Sequence, residues 1–239
     1  MSDNVYATVG KNTHMLAPWP YGREGVIGEL YQRVKRVESI LTAYDAKVTK
    51  IRGDARLSPK AQLDDQKAAA EEAVKAIGVS QKLLYDIAES EAEDQQDEAA
   101  VDPYKPSDAV TVAIDLALAE QLRGPYADKV TSMIRLGTHP RMLEALIRLP
   151  VELTGVTEDQ RQIAITQAIY RKDPVRAQLN EAFAEAYGAA EYAHRQGLKV
   201  VLPASGLSSV EVRQVLGEAS AELLDAPEKP APIAPAQAA

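Results

Sequence analysis

Apolar residues between positions 27 and 51 recur alternately three and four apart: Ile27, Leu30, Val34, Val37, Leu41, Tyr44, Val48 and Ile51. A 3.5-residue period keeps one narrow stripe facing a partner helix, so this stretch predicts a helix that pairs. Gly53-Asp54 ends it. Ser58-Pro59 opens a second helix, with Ser58 as N-cap and Pro59 at the first helical position. A connection this short makes the two helices antiparallel neighbours. The second stripe is poorer, reading Leu63, Lys67, Ala70, Val74, Ile77, Gln81, Leu84 and Ala88, with Gly78 a candidate break. Leu83 and Ile87 widen its apolar face and predict contact with a third helix.

Residues 1–24 read as an extended arm, because Pro18 and Pro20 flank Trp19. A lone Trp in such an arm either docks on its own domain or anchors into a neighbouring subunit. Asp86 to Asp102 holds eight acids and no base, and Pro103 and Pro106 follow. This pattern closes a helical hairpin over 25–98 and sets a linker at 99–106. Residues 107–225 predict a second helical region. In its first helix Val110, Ile114, Leu118 and Leu122 form the apolar side. Thr157 with Gln160, and Ser208 with Glu211, are capping boxes. A long helix after Asp173-Pro174 is expected to end at Gly197, and Leu198 to Leu202 is the one strand-like run. The Ala/Pro-rich tail, 226–239, is expected to be disordered. The fold class is all-α: an N-terminal antiparallel coiled-coil helical hairpin followed by a C-terminal multi-helix bundle domain.

The chain has no cysteine and a net charge of −8. Disulfides and thiolate metal sites are excluded, and a polyanion is repelled at long range. Neither a basic n-region with an apolar run nor a stretch of about 18 apolar residues is visible. The expected setting is cytoplasmic, without a membrane. His14, His139 and His194 lack metal-ligand spacing, and no phosphate loop or nucleophile elbow is present. Ser205 reads as a loop residue. The carboxylate pairs fall on predicted exposed faces. No catalytic, cofactor or metal residue is therefore expected. A deep pocket lined by Tyr126, Arg135, His139 and Arg141 is what an enzyme reading would need.

One constellation is electrostatic. Lys47, Lys50, Arg52, Arg56 and Lys60 stand against Asp54 at the tip of the hairpin, a local charge of +4. With Trp19, these five bases are the candidate partner-binding residues. The tip suits an acidic protein surface, and it is the one place where nucleic acid could bind. The segment from Lys50 to Lys60, Lys-Ile-Arg-Gly-Asp-Ala-Arg-Leu-Ser-Pro-Lys, resembles a hairpin turn in helix-rich virion and assembly proteins of tailed phages. The resemblance implies a non-enzymatic structural or assembly protein, located in the host cytoplasm or virion. It would act through helical protein contacts as a homo-oligomer or within a larger assembly. The alternative is a nucleic-acid-associated or regulatory adaptor using the basic tip.

Overall fold

In a computed structural model, which describes residues 3–98 and 108–217, the stripe at 27–51 lies on one helix, α1 (Gly25–Gly53). Leu30, Val34, Val37, Leu41, Tyr44 and Val48 are buried, and Ile27 and Ile51 are half-buried at its ends. The next helix, α2 (Pro59–Glu98), returns antiparallel, as Arg52 bonded to Gln66 and Lys47 paired with Glu72 require. Ser58 Oγ accepts from the Ala61 amide, the expected cap.

The chain divides into two units, Met1–Ala88 with Ala182–Ala239, and Glu89–Glu181. This differs from a division at 99–106. The reason is that the end of the chain returns to the first helices. The expected linker and the 226–239 tail lie outside the described residues.

The first unit is closed by α8 (Pro174–Ser205), whose later turns pack antiparallel to α2, with His194 on Ser80 and Gly206 against Lys67. A Cβ at Gly197 would lie 2.6 Å from Val37 Cγ1 and 3.3 Å from Ile77 Cδ1. Gly197 is thus the close-approach point of three helices, not a helix end. The expected strand at Leu198 to Leu202 is helical. Ala190, Ala193, Gly197, Leu198 and Val201 bury one helical stripe, and that packing overrides the β preference of the two valines. The seam of α1 is therefore shared by two helices, and the pairwise coiled coil becomes a three-helix packing. Gly78 does not break α2. It admits Leu216 of α9 (Ser209–Leu216), whose Cδ2 would sit 2.8 Å from a Cβ there. Leu83, expected to meet a third helix, is exposed.

The N-terminal arm is a β-hairpin rather than a bare extended segment. Strand β1 (Asp3–Val9) pairs antiparallel with β2 (Asn12–Trp19) through the two-residue turn Gly10-Lys11. Gly10 has φ +62°, the conformation that the first position of a type II′ turn demands. Its amide donates to Asp45 Oδ1 at 2.7 Å, tying the turn to α1. Val5, Ala7, Leu16, Ala17 and Trp19 join the core of α1.

The second unit contains α3 (Ala109–Arg123), a 3-10 turn (Ala127–Lys129), α4 (Val130–Leu136), α5 (Pro140–Arg148), α6 (Val151–Thr154) and α7 (Glu158–Lys172). Leu122, Ile134, Leu146, Ile165 and Ile169 centre its core. Both capping boxes, at Thr157 and Ser208, are formed. The orientation of α3 departs from expectation. Val110 and Ile114 are exposed, and Asp115, Ala119 and Leu122 face inward. The physical reason is an ion pair. Asp115 is fully buried and accepts from Arg148 at 2.5 Å, with Arg141 at 3.4 Å, both on α5. Those contacts fix which side of α3 turns to the core.

Candidate functional site

The five bases of the hairpin tip stand at the end of α1 and the start of α2, and all are exposed. Lys50 and Arg52 occupy the last turn of α1, where cations complement the helix dipole. Two of the five are committed to ion pairs within the fold, and Arg52 bonds Gln66. Arg56 grips Asp54 through Nε and Nη2 at 2.9 and 2.7 Å, and Lys47 pairs with Glu72. These hydrogen bonds hold the Asp54 and Glu72 carboxyls below their usual range. Lys50, Arg52 and Lys60 form no ion pair among the described residues. The tip is basic, but less so than its sequence implies.

Trp19 is not at the surface. It is 1% exposed, with its ring 5.3 Å from Tyr21 and 5.4 Å from Tyr31, and Nε1–H donates to the Gly22 carbonyl at 3.2 Å. As an anchor for a neighbouring subunit it is therefore corrected: burial against its own domain leaves no ring to insert.

A polar pair that sequence reasoning missed lies between α2 and α8. His194 is fully buried, and its Nδ1–H donates to the Ala190 carbonyl at 2.8 Å. A carbonyl can only accept, so in the neutral ring Nε2 accepts from Ser80 Oγ–H, 2.9 Å away. Beside it Gln81 donates to the Tyr85 hydroxyl at 3.0 Å. Burial also pushes the Tyr187 hydroxyl well above its ordinary range, with Glu191 adding to the shift. Serine and imidazole within hydrogen-bond reach are a nucleophile–base geometry. Here, though, Ser80 is 3% exposed and the ring is sealed, so the pair staples two helices. The only hint in the sequence is that Ser80 follows Gly78 on the seam side of α2.

Burial lowers the His194 pKa to about 4, and Arg33 adds to the shift. The folded state therefore refuses a proton that the unfolded chain accepts from its ordinary value of 6.5 downward. Stability is complete above pH 6.5 and falls as pH drops from there to 4, by about 3 kcal/mol in all. Urea melts from pH 7 to 4 should register this loss, and His194→Gln should flatten the part of the slope due to this ring.

In the second unit Arg161 donates to the Ile147 carbonyl at 2.9 and 3.2 Å, and Arg171 to the Ile134 carbonyl at 3.2 Å. The first satisfies a carbonyl left open at the C-terminus of α5, and the second joins the Gly137 amide that already bonds Ile134 at the end of α4. The four residues an enzyme pocket would need are split. Tyr126 meets the His139 ring at 5.5 Å, and Arg141 goes to Asp115 and Glu144. Arg135, His139 and Arg141 are exposed.

Two grooves flank α1. One, of about 220 Å³, lies between α1 and α2 and is lined by Ala43, Ala69, Ala73 and Ala76 with Lys47 and Glu72 at its rim. The other, of about 420 Å³, runs between β1 and α1. Asn4 and Tyr6 form one wall and Tyr31, Lys35 and Glu38 the other. Arg23 lies 4.6 Å over the Tyr31 ring. Among the described residues no group of three or more acids and histidines could hold a metal, and no helix is long and apolar enough to cross a membrane. Comparison of the chain with protein-family models, with curated proteins and with solved structures finds no match.

Proposed function

We propose that this chain is a non-enzymatic structural or assembly protein that works through helical protein–protein contacts, with a phage particle as its setting. The setting rests on the resemblance of residues 50–60 alone. The contact reading rests on the outer side of α3. Val110, Ile114 and Leu116 are 72%, 44% and 41% exposed, and Ala109, Ala113 and Ala117 are exposed between them. Over its first three turns this side carries no charge, while the one acid of that stretch, Asp115, faces inward. A helix with apolar residues toward water is a docking surface for another helix, and the alanines allow close approach. The α1–α2 hairpin, whose seam α8 also covers, supplies the rigid element of this reading.

The test is sedimentation of the full chain over a range of concentrations. The parent should associate, and Val110→Glu with Ile114→Glu should lower the assembled mass while leaving helicity and melting temperature unchanged. A parent that stays monomeric, or a variant that associates equally well, would sink the reading. The adaptor alternative draws on Lys50, Arg52 and Lys60, which are exposed and outside any described ion pair. It requires salt-sensitive DNA binding that disappears when these three are neutralised.

A further inference from the structure

The first unit contains a two-stranded sheet whose two edges are treated differently. On β2, Leu16 is an extra residue, because Val5 pairs with Ala17 and Tyr6 with Met15. Pro18 follows, opposite Asn4, and offers no N–H. A bulge and a proline are two standard ways of blunting an edge against further pairing. Strand β1 has neither. From Asn4 to Val9 it is uncharged, regular and rich in β-favouring residues.

The direction of its free amides follows from the turn. In a hairpin with a two-residue loop the closing pair, Val9 with Asn12, is hydrogen-bonded, and the pattern alternates from there. Val9 and Ala7 point their main-chain groups at β2, and Thr8, Tyr6 and Asn4 point theirs away. No third strand takes them among the described residues. The groove of about 420 Å³ between β1 and α1 borders this edge.

The geometry points to β1 as a pairing edge for β1 of a second copy of this chain, antiparallel about Tyr6, giving a four-stranded sheet across a two-fold axis. The strand complements itself. Tyr6 faces Tyr6 of the second copy, Asn4 faces its Thr8, and all outward amides find carbonyls, making about six main-chain bonds. No like charges meet along the strand. The α1 wall complements itself as well. Lys35 and Glu38 form an ion pair beside the edge, and a two-fold axis through the groove turns each toward its opposite on the other copy. This inference rests on the assembly reading but uses a different surface from α3.

The experiment is sedimentation of the full chain carrying Val110→Glu and Ile114→Glu, which removes the α3 contact, with and without β1 changes. The expected residual species is a dimer. Tyr6→Pro removes two of the inter-copy bonds, one per copy, without touching a bond to β2, and should weaken that dimer at least about tenfold. Adding Thr8→Pro should leave a monomer. Lys35→Glu should weaken the dimer by bringing like charges together, and Lys35→Glu with Glu38→Lys should restore it. Circular dichroism checks that each variant keeps its helix content. A background variant that is already monomeric, or a dimer indifferent to the prolines and the charge swap, would overturn the inference and leave the α3 reading standing. Binding of a β1-sequence peptide by a monomeric chain that never dimerises would also overturn it, by assigning the edge to a different occupant. A parent monomeric at every concentration would overturn both.

Discussion

Asp115→Ala should destabilise the second unit by about 3–5 kcal/mol, the usual consequence of stripping one partner from a buried ion pair. Asp115 is fully buried on α3, and the Arg148 side chain it serves is 9% exposed. Alanine leaves that guanidinium in a poorly hydrated site with its main counter-charge gone. Arg141, at 43% side-chain exposure, can turn to water and contributes much less. Urea titration followed by helix signal would measure the loss. Adding Arg148→Met should recover most of it, because an apolar side chain of similar length removes the stranded charge. Glu144→Ala, which breaks only the exposed pair with Arg141, should cost under about 1 kcal/mol and serves as the control. Equal losses for Asp115→Ala and Glu144→Ala would mean that the pair does not orient α3.

Trp19→Ala should cost the first unit a similar amount, about 3–5 kcal/mol, through lost burial and the cavity left behind. The indole is 1% exposed, packs edge-on to Tyr21 and tilts against Tyr31 of α1. It is the last residue of β2, so its loss frees the open end of the hairpin while Gly10 still holds the turn through Asp45. Hydrogen exchange should therefore quicken at β1 and β2 well before α1. Trp19→Phe keeps most of the packing and gives up only the bond to the Gly22 carbonyl, so its cost should be clearly smaller. Uniform quickening along α1 and the hairpin in Trp19→Ala would show that the indole supports the whole unit instead.

Much of the helical architecture was legible because local signals agreed with burial. The 27–51 stripe is buried between its half-buried ends, and the two capping boxes and the Ser58 cap form where residue chemistry places them. What escaped was set by contacts distant in sequence. The β-hairpin hid behind Pro18 and Pro20, although Val-Gly-Lys-Asn between two alternating runs is a type II′ turn signal. The stripe points α3 the wrong way at its start, where one buried acid outweighs Val110 and Ile114, whereas Leu118 and Leu122 do turn to the core. The helix through Gly197 is not legible in the sequence, because glycine as a helix end and glycine as a close-approach point look alike in one dimension. The short turn brings the tip residues together and sets Asp54 beside Arg56, but the partners of Lys47 and Arg52, Glu72 and Gln66, lie on the returning helix. The β1 edge could not be found before the hairpin itself.

The first unit is assembled from both ends of the chain, with Glu89–Glu181 interposed. On a ribosome, α1 and α2 emerge long before α8 exists to cover them. At roughly 5–20 residues per second, the interposed 93 residues delay that cover by about 5–20 s. During this interval the heptad stripe of the nascent polypeptide is only half sheathed, while the contiguous middle portion has everything it needs to fold. The order of maturation should therefore run from Glu89–Glu181 outward, and the waiting helices α1 and α2 are where a chaperone would bind.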